Sequence, residues 1–112
     1  LMQNKTKNRL KGIGAVEVKD KITAGLPLFM LDVRDAEEYE MMRLGVGEKL
    51  IPIGTLRKRL GELPADKKME IVCYCKISLR GYEAALILEA NGWENVRVME
   101  GGIMAWPYSR EK

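Results

Sequence analysis

Cys75 and Arg80 are the residues in this sequence best placed to do chemistry. Lys76, Ile77, Ser78 and Leu79 lie between them. An apolar run, Ile71-Val72-Cys73-Tyr74, leads into the cysteine. A strong helix former by propensity, Glu83-Ala84-Ala85-Leu86-Ile87-Leu88-Glu89-Ala90, follows the arginine. A cysteine at a strand end, on a tight loop leading into a helix, faces several backbone N–H groups and the positive end of the helix dipole. Such a setting favours thiolate over thiol, and successive loop amides form a nest able to hold an anion. The chemistry is that of a nucleophilic sulfur in an anion cradle. A cation at a helix N-terminus runs against the dipole, so Arg80 is expected to meet an anion or to sit in an ion pair.

Each of these residues has a plainer reading. Cys75 as an inert buried thiol is one, since free cysteine often serves as a small hydrophobe; the loop context favours the reactive role. Cys73, inside the apolar run, reads as core, with a resolving thiol as its other role. The two cysteines share one strand face at a stretched separation that suits a disulfide poorly. Asp32 and Arg34 read as structural groups that fix a strand end. Trp93 and Trp106 read as packing, and Arg57-Lys58-Arg59 as a solvated helix face. Gly101-Gly102 is too little for a phosphate-binding loop. The chain has no histidine, which removes imidazole as a general acid or base and as a metal ligand.

Composition bounds what the rest can be. At 112 residues the chain is one domain, and a hydrophobic fraction of 46% supports a core. Nineteen basic and 16 acidic residues are interspersed, for a net charge of +3, which marks no nucleic-acid or membrane surface. No apolar run approaches the roughly 20 residues of a membrane span, and no signal-peptide pattern is present. Two cysteines this close point to a reducing, cytoplasmic setting. Leu at position 1 fits either a piece of a larger protein or an expression remnant.

The elements that must position the cysteine alternate between strand and helix. Residues 1–11 are polar and basic and read as a linker. Residues 12–16 read as a short edge strand, and 18–24 as a helix stopped by Gly25 and Pro27. The apolar run 28–33 suits a strand buried on both faces. Asp35 caps a helix over 35–42, with Glu38 as its capping-box partner. Residues 50–53 are a short strand ended by Pro52. Thr55 is expected to cap a helix over 56–60, and 64–68 a surface turn. A strand over 70–74, the loop, a helix over 80–90 closed by Asn91-Gly92, and a strand over 96–99 follow. A last short helix carries Ile103, Met104 and Trp106. Such alternation predicts a parallel sheet covered on both faces, with ligands at the carboxyl ends of its strands.

Three segments in order carry a family resemblance: Leu31-Asp32-Val33-Arg34 with Glu38-Tyr39, the loop Cys75-Lys76-Ile77-Ser78-Leu79-Arg80, and Gly101-Gly102-Ile103-Met104-Ala105-Trp106. Over about residues 16–108 the chain resembles a single rhodanese domain, an α/β sulfurtransferase fold. The stretch from Cys75 through Ala85 is similar to rhodanese domains fused to flavin-dependent coenzyme A-disulfide and persulfide reductases. The resemblance implies a central parallel five-stranded sheet with helices on both faces over residues 14–112, preceded by a flexible segment or linker, 1–13. It implies Cys75 as nucleophile, carrying sulfane sulfur as a persulfide. The amides of Lys76, Ile77, Ser78, Leu79 and Arg80 would hold the anionic sulfur, and Lys76 would draw anionic donors. Thiosulfate, persulfides or polysulfide would supply sulfur, and thiols would accept it. No cofactor is implied in this domain; FAD would belong to a fused upstream reductase domain. Two departures stand out: Ser78 where many members have glycine, and Arg43-Leu44-Gly45 where many have Gly-His-Ile. Two other readings stay open: a cysteine-dependent phosphatase or arsenate reductase of the same fold, and a non-catalytic interaction module. Phosphatase relatives resemble a loop with five residues between cysteine and arginine; four, as here, make a ring better sized for one sulfur atom.

Overall fold

A computed structural model describes residues 11–112. The first ten residues, assigned to the N-terminal linker, lie outside the described residues. The chain runs β1 (Lys11–Ile13), α1 (Ala15–Thr23), β2 (Phe29–Asp32), α2 (Ala36–Met41), β3 (Lys49–Leu50), β4 (Ile71–Tyr74), α3 (Leu79–Ala90) and β5 (Val96–Met99). Two 3₁₀ segments, Ile53–Lys58 and Leu60–Glu62, lie between β3 and β4, and a third, Gly102–Ala105, follows β5. The five strands form one sheet in the order β1-β5-β4-β2-β3, and every pair is parallel.

Alternation along the strands builds two cores from one sheet. On β4, Ile71, Cys73 and the following Cys75 face a core shared with Ala84, Ala85 and Leu88 of α3 and with Leu56. Val72 and Tyr74 face the other, with Val18 of α1 and with Ile103 and Trp106 near the chain end. Both faces of β4 are buried, which is why its sequence shows an apolar run and no alternation. The sheet is thus covered on both sides, as the βα alternation predicts.

Several elements differ from expectation: the strand read at 50–53 is only Lys49–Leu50, and the helix read at 18–24 is Ala15–Thr23. The edge strand lies at Lys11–Ile13, where it pairs with Arg97, Val98 and Met99, and not at 12–16. Lys11, read as the end of the linker, therefore belongs to the sheet, while Ala15 and Val16, read as strand, belong to α1. Helix α1 begins right after, at Ala15, with Gly14 in extended conformation before it. Thr55 does not cap a helix: it lies inside the 3₁₀ turn that begins after Pro52, and its hydroxyl donates to the Pro52 carbonyl at 2.9 Å.

The segment Arg43-Leu44-Gly45, which departs from the family pattern, has a local explanation. Arg43 and Glu111 exchange both backbone hydrogen bonds, at 2.8 and 2.7 Å. The C-terminal tail thereby closes against the end of α2.

Candidate active site

The sulfur of interest sits where β4 stops. Cys75 follows the last strand residue and is only 2% exposed, packed into the α3-side core. Lys76, Ile77 and Ser78 then leave the sheet as an exposed bend, and α3 starts at Leu79 with Ser78 as its N-cap. Gly81 lets that helix approach the strand: a Cβ there would lie 3.1 Å from the Tyr74 Cα.

The orientation of the loop is set from behind. The amide of Ile103 donates to the Cys75 carbonyl at 2.9 Å, and that of Met104 to the Lys76 carbonyl at 3.1 Å. Gly102, at φ +59°, stands against the same carbonyls; a Cβ on it would meet the oxygens of Lys76 and Ile77 at 2.6 Å and collide with that of Cys75. Three successive carbonyls thus turn toward the Gly102–Ala105 segment. Their N–H counterparts have no such engagement: among the described residues, the amides of 76–80 donate to no backbone carbonyl. A pocket of about 300 Å³ opens there, lined by Cys75, Lys76, Ile77, Ser78, Leu79 and Arg80. The structure brings all six sequence-predicted residues to one cavity, at the carboxyl end of a central strand and the N-terminus of a helix.

Arg80 takes the ion-pair course. Its two terminal nitrogens donate to the two carboxylate oxygens of Glu38, at 2.7 and 3.0 Å. The same carboxylate accepts the Asp35 N–H at 2.9 Å, closing the start of α2. The Arg80 hydrogen bonds hold the Glu38 carboxyl down to about 2, against an opposing push from burial. Arg80 is raised in turn, chiefly by that bond.

Beneath this pair lies a second one. Asp32 and Arg34 are 0% and 3% exposed and pair at 2.9 Å. Arg34 also donates to the carbonyls of Glu38, at 3.3 Å, and Met42, at 2.7 Å. The end of β2 is thereby tied to α2, and α2 through Glu38 to the cysteine loop. Both residues are structural, as the sequence reading held.

Cys73 lies one turn of the pleat deeper, at 0% exposure, and burial pushes its thiol up. It has the surroundings of a core residue. The sequence places Glu38 in a capping box and Glu38 and Gly102 in the segments that carry the family resemblance, but gives neither residue its partner in the cysteine loop. The usable signal for Glu38 was a carboxylate and a guanidinium each in the first turn of a helix, following neighbouring strands. For Gly102 the paired glycines were visible but not what they face, because its partners are backbone carbonyls. Among the described residues no cluster of His, Cys, Asp and Glu is placed to hold a metal, and no helix is long and apolar enough to cross a membrane.

Comparison with known proteins gives this geometry its family. The family model described as "Rhodanese-like domain" matches residues 14–108. YtwF of Bacillus subtilis, which carries a sulfurtransferase name, is 34% identical over 102 residues, covering 87% of this chain and 90% of its own. A rhodanese-like domain protein from Staphylococcus aureus superposes with a TM-score of 0.78 at 32% identity, over 87% of this chain and 91% of that one. A NAD-dependent persulfide reductase from A. fulgidus matches at 39% identity with a TM-score of 0.71; it covers 96% of this chain, which spans only 17% of that protein.

Proposed function

The chain belongs to the rhodanese-like family, whose relatives include proteins named as sulfurtransferases, and from that premise we propose that Cys75 takes up a sulfane sulfur as a persulfide and passes it to a thiol. The observation that carries this reading is the loop's polarity. Carbonyls of residues 75–77 turn to the Gly102–Ala105 segment, while the amides of 76–80, which donate to no backbone carbonyl, belong to the residues that line a pocket with the cysteine. Backbone N–H groups at a helix N-terminus stabilise a negative charge on sulfur. They do so for the thiolate that attacks the donor and for the terminal sulfur of the persulfide that results.

Small sulfur donors such as thiosulfate, persulfides or polysulfide fit a pocket of this size, and the exposed Lys76 adds positive charge at its mouth. The likeness to a persulfide reductase supports persulfide as the donor and a reductase domain as a partner. The domain needs no cofactor of its own for this step; any FAD would sit in a fused upstream domain. Two free thiols two residues apart fit a reducing cytoplasm. A phosphatase reading is weaker, because the guanidinium that would clamp an oxyanion is already bonded twice to Glu38.

The test is direct. Incubation with thiosulfate or a low-molecular-weight persulfide is expected to add one sulfur atom to the chain, seen by intact mass, removed by cyanide or excess thiol, and absent in Cys75→Ser. Aryl phosphates are expected not to turn over. Phosphatase activity lost in Cys75→Ser, with no adduct from any donor, would overturn the reading.

A further inference from the structure

A second cavity lies beside the cysteine pocket and shares Ser78 with it. It measures about 320 Å³ and is lined by Gly12, Ser78, Tyr82, Val98, Glu100 and Gly101. Its origin is in the sheet. Helix α3 packs on β4 and β5, while the edge strand β1 places Gly12 beside Val98 and brings no side chain to fill the space. Glu100 folds into that space: a Cβ on Gly12 would collide with its carboxylate.

The register relates Glu100 to the sulfur. Cys73 pairs with Val98, and Cys75 and Glu100 each follow two residues later, just past the ends of β4 and β5. Neighbouring strands lie about 4.8 Å apart, so the strand ends that carry Cys75 and Glu100 are side by side. Among the described residues, no lysine or arginine forms an ion pair with Glu100. The nearest cation along β5, Arg97, is in register with Val72 of the other face. It is held by Glu70 at 3.4 Å and by the Gly12 carbonyl at 3.0 Å. Tyr82, 42% exposed, offers an apolar ring along the path.

We propose that this trough is the acceptor subsite and that it selects a small thiol carrying an ammonium group. The ammonium meets Glu100, the carbon chain lies along Tyr82 and Val98, and the sulfur passes Ser78 to reach Cys75. This rests on the reading of Cys75 as a persulfide carrier. In the step itself the acceptor thiolate, its proton lost to solvent, attacks the outer sulfur of the persulfide. A bond forms between those two sulfurs. The bond from the outer sulfur to Cys75 Sγ breaks, and its electron pair returns to Sγ as thiolate. Sulfane sulfur moves, and no external oxidant or reductant is consumed.

The subsite is tested first without sulfur transfer. Cys75 is modified with 2-aminoethyl methanethiosulfonate and with methyl methanethiosulfonate, and the two rates are followed by intact mass. The ratio of cationic to neutral rate is expected to fall roughly fivefold in Glu100→Gln, with the neutral rate unchanged. It is expected to stay put in Glu83→Gln, which removes an exposed carboxylate elsewhere on α3. The second arm discharges the Cys75 persulfide with cysteamine and with 2-mercaptoethanol, and the same ratio is expected to fall in Glu100→Gln alone. A ratio unmoved by Glu100→Gln, or moved equally by Glu83→Gln, overturns the subsite even where persulfide forms and discharges. A Glu100-dependent ratio in the first arm with no persulfide from any donor supports the subsite and removes the sulfur-transfer reading.

Discussion

Arg80 spends both terminal nitrogens on Glu38, 2.7 and 3.0 Å away, and so joins the first turn of α3 to the first turn of α2. A guanidinium at a helix N-terminus opposes the helix dipole. The bidentate carboxylate answers that cost and leaves the loop amides and Lys76 to meet an anion in the cysteine pocket. Arg80→Ala is therefore expected to slow reaction of Cys75 with thiosulfate and with a neutral polysulfane by similar factors. Selective loss of the anionic donor in single-turnover rates would instead give Arg80 a direct hold on the donor.

The same pair sets a pH dependence. The Glu38 carboxyl lies at about 2 in the folded protein, below an unfolded value of about 4.3. The pair's contribution is thus fully present above about pH 4.3 and is lost as pH falls toward 2. The urea midpoint of Glu38→Gln is expected below that of the unsubstituted protein at pH 7, with the gap closing by pH 2. The pair is partly exposed, so the gap should be of the order of 1 kcal/mol or less. A gap that stays constant with pH would sever this link.

Gly102 and Gly92 separate strain from collision. Both hold positive φ, +59° and +100°, but only Gly102 has backbone oxygens where a Cβ would go. Either substitution by alanine should destabilise by roughly 1–2 kcal/mol through the left-handed backbone. Only Gly102→Ala should also disturb the cysteine loop and cut persulfide formation. Comparable activity in the two variants at equal folded fraction would show that the loop does not depend on Gly102.

The two cysteines should part company. Cys75→Ser is expected to abolish sulfur uptake with the fold intact. Cys73→Ser places a hydroxyl at a position with 0% exposure, at a cost of roughly 1–3 kcal/mol, and should still load sulfur. A folded but inactive Cys73→Ser would point to a dithiol mechanism.

Asp32→Ala tests the buried support. It leaves the Arg34 guanidinium, 3% exposed, without its carboxylate. A loss of roughly 3–5 kcal/mol is expected, measured by chemical denaturation. A change below about 1 kcal/mol would mean that the carbonyls of Glu38 and Met42 suffice to hold Arg34.

Sequence alone determined the parts of this protein that depend on local patterning. Apolar runs marked β2 and β4, because a strand buried on both faces is apolar along most of its length; in β2 only the last residue, Asp32, breaks the run, and its buried charge is paired with Arg34. Cys75 and the six-residue span to Arg80 were legible because a strand end, a bend and a helix start are consecutive in the chain. Tertiary structure decided what depended on partners far along the chain. An edge strand was legible at 12–16, but its bounds, Lys11–Ile13, were set by where β5 offered an open edge to the backbone. Thr55 lost its capping role when the turn began at Pro52. Glu38 and Arg80 are 42 residues apart, and only the β4-β2 neighbourhood puts their helices side by side. Gly102 faces the carbonyls of the cysteine loop because β5 ends beside β4. Backbone-to-backbone contacts of that kind leave no side chain for a sequence to display.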